Sequence, residues 1–158
     1  MLLTSLSAIQ ASCPTLTLFP RAIVEAILLT EGPIGSAQVV ARELGLQNRF
    51  RLARLLRREG LPPLHRLAGW ATVLSWVVQA ERDGVSLCWM AFRSCRHPSA
   101  CYRLVREVTG RSWTDVKARG SRWLQREFLQ EVRGAERVLA ERGNRRDGGA
   151  GDRRGGGS

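Results

Sequence analysis

Two short segments of the sequence carry side chains that can bind a polyanion. The first, residues 47–58, reads QNRFRLARLLRR, and its Arg51, Arg54 and Arg58 recur at intervals of three and four residues. That spacing places the three guanidinium groups on one face of a helix. A guanidinium group is planar and permanently charged, and it forms paired hydrogen bonds with phosphate oxygens or with the edge of guanine. Three further polar residues stand at the start of this helix, namely Gln47, Asn48 and Arg49.

The second segment, residues 97–109, divides into the same two kinds of side chain. Its apolar stripe consists of Cys101, Leu104, Val105 and Val108. Its polar stripe consists of Ser99, Tyr102, Arg103 and Arg106. We interpret His97 as the cap of a helix that begins at Pro98, close to a backbone phosphate, and not as a catalyst. The segment therefore predicts a second helix face that contacts an acidic partner.

Other residue types that perform chemistry do not form a convincing pattern. Cys95, His97 and Cys101 are potential metal ligands, but structural zinc sites usually show paired C-x2-C spacing. We interpret the cysteines as reduced, buried residues and expect no metal ion or cofactor. The sequence also lacks a glycine-rich phosphate loop, paired catalytic carboxylates and a nucleophile–base pair. We therefore expect a protein that is not an enzyme.

The charge of the chain indicates the class of partner. The 158 residues, enough for one domain, contain 25 Lys and Arg against 14 Asp and Glu, for a net charge of +11 and a pI of about 11.3. Such an excess favours nucleic acid over a membrane as the partner. The longest uncharged interior run, residues 67–80, is too short to span a bilayer, which requires about 20 residues. The first twenty residues lack the basic start of a signal peptide, so we expect a cytoplasmic protein with no membrane partner.

Helical periodicity and helix-terminating residues predict an all-α protein of seven helices without strands. An uncharged, loose arm is expected at residues 1–19, and a Gly/Arg-rich, disordered tail at 143–158 that adds non-specific affinity. The helices are predicted at about 20–31, 36–44, 48–59, 63–82, 86–93, 98–109 and 113–142, the last starting in a capping box at Ser112 and bent near Gly120. The domain boundaries are predicted at 20–62 for a first unit, 63–83 for a linking helix, 84–118 for a second unit and 119–142 for a helical extension.

Apolar stripes along these helices predict the core. Leu52, Leu55 and Leu56 are expected to point inward from the first arginine-rich helix, away from its charged face. The linking helix carries a wide stripe, consisting of Leu67, Trp70, Ala71, Leu74, Val77 and Val78. All five tryptophans are expected in the core, and not as a stacking platform for single-stranded nucleic acid.

The order of small residues and glycines indicates a repeated helix-turn-helix. Ala41 lies four residues before Gly45. A small residue where two helices cross, followed by a glycine in the turn between them, is typical of a helix-turn-helix. Fifty residues later Ala91 repeats Ala41, Val105 repeats Leu55 and Gly110 repeats Gly60.

Two such units joined by one long helix resemble the DNA-binding domain of the AraC/XylS family of transcription regulators. Residues 40–46, VARELGL, are similar to the family pattern L-A-x-x-L-G-L, Phe50 matches its aromatic position, and residues 60–63, GLPP, match its G-L-S-P. In the second unit, residues 98–100 and 106–110 fit variants of the second recognition helix. The resemblance covers residues 20–117 and implies a bilobed domain that places two recognition helices in successive major grooves.

The chain departs from the family pattern at several positions. Ser94 and Cys95 replace the Gly-Phe of the turn before the second recognition helix, and Trp113 replaces a proline. Arg51 occupies a position of the first unit that is usually apolar. The 158 residues also leave no length for the effector-binding domain that the family usually carries, so we expect a stand-alone DNA-binding unit.

These patterns predict a bacterial-type protein that binds double-stranded DNA sequence-specifically and regulates transcription. Arg49 and Arg51, near the start of their helix, are better placed for base edges, and Arg57 and Arg58 for phosphates. RNA polymerase or a separate sensor protein would be further partners.

The alternative is a helical protein-interaction module that has lost DNA readout. It would bind an acidic protein or dimerise through the last helix, with a seam at Trp123, Phe128, Val132 and Leu139.

Overall fold

The computed structural model describes residues 37–147 and Ala22, with side chains as far as Gly134. This part of the chain contains six helices and no strand, which confirms the all-α class. The helices are α1 (Ala37–Glu43), α2 (Arg49–Arg58), α3 (Leu64–Asp83), α4 (Leu87–Arg93), α5 (Pro98–Thr109) and α6 (Trp113–Asp147). The predicted arm at 1–19, the predicted helix at 20–31 and the end of the predicted tail, from residue 148, lie outside the described residues.

Side-chain caps fix where the helices begin. The Asn48 Oδ1 atom accepts hydrogen bonds from the backbone N–H groups of Phe50 and Arg51, both at 3.1 Å, at the start of α2. Ser86 caps α4, as predicted, through a 3.1 Å bond from the Trp89 N–H group to its Oγ atom. At α6 the Ser112 Oγ atom accepts from the Asp115 N–H group at 3.2 Å and donates to the Asp115 carboxylate at 3.0 Å, so the predicted capping pair forms.

The turn between α1 and α2 recurs between α4 and α5. In the first turn the Leu46 N–H group donates to the Ala41 carbonyl at 2.8 Å, and Gly45 has a φ of 71°. In the second the Arg96 N–H group donates to the Ala91 carbonyl at 2.9 Å, and Cys95 has a φ of 53°. Both are helix ends that close through a residue in the left-handed conformation, fifty positions apart. The two turns therefore share one backbone geometry, although only one of them has glycine at the left-handed position.

Helix α3 forms the centre of the core. It packs most extensively against α6 and then against α5, and most of its predicted stripe is buried, with Ala71 and Val78 only half-buried. Gly69 permits a close approach to α5, because a Cβ atom there would lie 2.8 Å from the Val108 Cγ2 atom. No helix among the described residues is both long enough and apolar enough to cross a membrane.

The tryptophans divide between core and surface. Trp70, Trp76 and Trp113 are buried, and Trp123 is half-buried against the core. Trp89 is 43% exposed, so the prediction that all five lie in the core is wrong for this residue. Helix α4 has only seven residues, and its inward positions are already occupied by Leu87, Met90 and Ala91.

Helix α6 consists of two segments divided at Gly120, where φ is 81° and ψ is 174°, which confirms the predicted bend. We call residues 113–119 α6a and residues 121–147 α6b. Helix α6b ends at Asp147, before two glycines, so residues 143–147 are helical and not part of a disordered tail as predicted.

The predicted dimer seam on α6 is largely occupied within the chain. Phe128 and Val132 are only 2% and 1% exposed, and the Phe128 ring lies 5.8 Å from the Trp70 ring on α3. A seam between two copies through these residues is therefore a wrong prediction, because their apolar surface packs against the core of their own chain. The side chain of Leu139 lies outside the described residues.

Candidate nucleic-acid interface

The charged face of α2 is separate from its buried face. Leu52 and Leu56 are almost fully buried, whereas Arg51, Arg54 and Arg58 are exposed. Leu55, predicted to point inward, is only half-buried but packs against the core. Among the described residues, the exposed side chains of Arg51 and Arg54 have no hydrogen-bond or ion-pair partner. The guanidinium groups of Arg51 and Arg54 are thus available to an external polyanion.

Several polar groups at the start of α2 already make contacts within the protein. The amide oxygen of Asn48 is occupied by the helix cap, so its NH2 group is the part that remains for a partner. Gln47 is exposed, and the Arg49 N–H group donates to the Gln38 Oε1 atom of α1 at 3.2 Å. The Arg49 guanidinium stacks 5.0 Å from the centre of the Phe50 ring, which is 65% exposed. Asn48 therefore positions the helix, and an exposed Arg–Phe pair stands beside it.

Helix α5 presents a second face of the same kind. Cys101, Val105 and Val108 are buried, Leu104 is half-buried, and the opposite side exposes four predicted residues: Ser99, Tyr102, Arg103 and Arg106. The His97 Nδ1 atom accepts from the Ser99 N–H group at 3.3 Å and lies 2.7 Å from the Ser99 Oγ atom. The predicted capping role of His97 is confirmed. Since Nδ1 accepts this bond, Nε2 is the ring nitrogen that remains for a partner.

The electrostatic character of the two faces differs. Helix α2 contains five arginines and no acidic residue, and Glu59, just beyond its end, lies 3.9 Å from Arg58. Helix α5 contains Arg103 and Arg106 together with the exposed Glu107. The attraction of a polyanion should therefore be stronger at α2, and α5 offers a more mixed set of hydrogen-bonding groups.

An aromatic patch on α4 was not foreseen from the sequence. Trp89 and Phe92 are 43% and 68% exposed, and the Arg93 guanidinium lies 5.1 Å from the centre of the Trp89 ring. The i, i+3, i+4 spacing of these residues was a visible signal, but in so short a helix it does not distinguish an inner face from an outer one. The patch provides apolar and cationic surface next to the second turn.

The cysteines do not form a metal site in the described part of the chain, where no three potential ligands come together. Cys88, Cys95 and Cys101 are free thiols. Burial raises the pKa of the Cys101 thiol, as expected of a residue packed in the core. Cys95 is exposed, so its predicted burial is wrong, because it lies in the turn and not on a helix.

The arrangement as a whole presents groups that can bind a polyanion. Two capped helices present guanidinium, hydroxyl and amide groups, and each is held by apolar residues on its other side. A scan against protein-family models, a search of curated proteins and a search of solved structures each found no match to this chain.

Proposed function

We propose that this protein binds double-stranded DNA sequence-specifically and regulates transcription, with α2 and α5 as its two recognition helices. The observation that carries the proposal is the repeated geometry. Each helix follows the same left-handed turn, begins at a side-chain cap, buries one face and exposes arginines on the other. A single charged helix is common on protein surfaces. Two equivalent charged helices joined by a buried helix favour a protein that contacts DNA at two sites.

The dimensions of DNA suit such helices. The major groove is about 12 Å wide and admits one α-helix, whose N-terminal residues then reach the base edges. In this reading Arg49 and Arg51 contact bases, and Arg57 and Arg58 contact phosphates. At α5, Arg103 and Tyr102 would face the groove. The Nε2–H group of His97 would donate to a phosphate oxygen.

We assign this arrangement to the AraC/XylS-like class of bilobed domains with seven helices, of which the predicted first helix lies outside the described residues. In that class two recognition helices occupy successive major grooves on one face of the duplex. The protein would act in the cytoplasm and would pass its effect to RNA polymerase or receive a signal from a separate sensor protein.

The second candidate function is a protein-interaction module, and the α4 patch favours it. Trp and Arg are enriched among the residues that dominate binding energy at protein interfaces, and Trp89 and Arg93 are stacked and exposed. A module of this kind would bind an acidic partner through α4 and would show no preference among DNA sequences.

Selection from a random duplex pool, followed by binding measurements between 50 and 200 mM salt, tests the proposed function. We expect one motif to be enriched, and the affinity to fall steeply with salt. Each phosphate contact that a variant loses should reduce the slope of the log binding constant against the log salt concentration by about 0.9. Arg54→Ala and Arg103→Ala should weaken binding without changing thermal unfolding, while Arg126→Ala, an exposed arginine of α6b, serves as the control for charge alone. Failure to enrich any motif would favour the interaction module.

A further inference from the structure

Helix α6b is attached to α3 at two points. At one end the Glu81 carboxylate of α3 accepts from the Ser121 N–H group at 2.7 Å and from the Ser121 hydroxyl at 2.6 Å. This carboxylate thereby caps the start of α6b from another helix. Ten residues further along α6b, the Arg66 Nε and Nη2 atoms of α3 donate to the two carboxylate oxygens of Glu131 at 2.6 and 2.9 Å. The two helices therefore run antiparallel and are joined twice.

The Glu131 attachment extends to α5. The Arg66 Nη1 and Nη2 atoms also donate to the backbone carbonyls of Glu107 and Val108, at 2.7 and 3.0 Å. These carbonyls belong to the last turn of α5, where the helix has no partners of its own for them. Arg66 thus connects the C-terminal end of α5 to α3, and Glu131 on α6b holds its guanidinium in place.

Both oxygens of the Glu131 carboxylate accept hydrogen bonds in this network. The carboxylate also accepts from the Trp70 Nε1–H group at 2.8 Å, so three donors on two residues of α3 converge on it. The hydrogen bond with Glu131 raises the pKa of Arg66, as expected of a guanidinium in a paired bond with a carboxylate. Loss of the carboxylate would leave the guanidinium and the indole N–H group without their common acceptor. Arg66 could then leave the end of α5.

We propose that α6b is a brace that fixes the orientation of α5 on α3, and that Glu131 and Glu81 are positioning residues for DNA binding. The inference rests on the proposed function, in which α2 and α5 contact one duplex together. Two linked contacts reinforce each other only if their geometry permits simultaneous binding. A loosened α5 should still bind its own half-site but should lose the advantage of a fixed distance from α2.

The experiment uses the full chain and the duplex motif selected by the unmodified protein, with fluorescence anisotropy as the readout. Three duplexes are compared: the whole motif, the motif with one half scrambled, and the motif with one base pair inserted between its halves. For Glu131→Gln we expect at least a tenfold loss of affinity for the whole motif and a change of less than about twofold for the half motif. The inserted base pair should cost this variant less affinity than it costs the unmodified protein. Glu127→Gln, one helical turn earlier on α6b, is the matched control and should behave as the unmodified protein.

Glu81→Gln removes the charge and one of the two acceptor oxygens of the other attachment at an exposed position, and it provides a second variant in case Glu131→Gln does not fold. As with Glu131→Gln, we expect the inserted base pair to cost this variant less affinity than it costs the unmodified protein. If the unmodified protein selects no motif, the proposed function fails and the brace fails with it. If the unmodified protein selects a two-part motif but folded Glu131→Gln and Glu81→Gln keep its full insertion penalty, the brace alone is overturned.

Discussion

The backbone of Cys95 allows a test of the equivalence of the two turns. Cys95 has a φ of 53°, in the left-handed region that costs a side-chain-bearing residue about 1–2 kcal/mol. Glycine removes this strain, but it gains conformational freedom in the unfolded chain worth about 0.4–1 kcal/mol. The exposed thiol contributes little packing. Cys95→Gly should therefore stabilise the fold by about 0.5–1 kcal/mol, which corresponds to a rise in Tm of about 1–4 °C for a chain of this size.

The assay is chemical and thermal unfolding followed by circular dichroism at 222 nm. Cys95→Ala retains the strain and should be close to neutral, which separates the effect of the backbone from that of the thiol. Gly45→Ala is the mirror experiment in the first turn, where φ is 71° and an added Cβ atom would meet nothing within 4 Å. It should destabilise the protein by about 1 kcal/mol through backbone strain alone. Equal stability of Cys95→Gly and Cys95→Ala would refute the argument that the two turns share one conformation.

Three further predictions concern the core and the thiols. Gly69→Ala should lower the free energy of unfolding, measured in urea, by about 1 kcal/mol, because the overpacking against Val108 exceeds the gain in helix propensity. The same substitution should cost less in a Val108→Ala variant. Leu52→Ala should cost about 2–5 kcal/mol in the same assay, and a smaller cost than that would place this side chain outside the core. At pH 8 a disulfide reagent such as DTNB should modify Cys95 rapidly and Cys101 only after unfolding, because burial keeps the Cys101 pKa raised and its thiol protonated; early modification of Cys101 would contradict its burial.

The elements that the sequence predicts well are those with local signals. Ser86 and Ser112 can cap a helix from within a few residues, and the structure starts α4 and α6 where these residues stand. The buried stripes of α2 and α5 follow from helical periodicity, because one face must be apolar wherever a helix packs against a core. Arg54 on α2 and Arg103 on α5 lie opposite these buried stripes, so their exposure could be predicted to the same extent.

The elements that the sequence does not predict depend on packing between distant parts of the chain. The apolar stripe of Phe128 and Val132 is visible, but periodicity cannot tell whether the covering surface belongs to the same chain or to another copy. The structure covers it with α3. Likewise, no local pattern connects Glu131 with Arg66, which lies 65 residues away. Trp89 is exposed because it lies on the opposite face of α4 from the buried Leu87, Met90 and Ala91.

The central claim is that α2 and α5 each read their own part of one duplex. The most direct test is to select the motifs of the unmodified protein, Arg54→Ala and Arg103→Ala from the same random pool. We predict a two-part motif with its halves about 10 base pairs apart, in which Arg54→Ala relaxes the sequence of one half and Arg103→Ala relaxes the other. Relaxation of the same half by both variants, or the absence of any motif, would contradict the account.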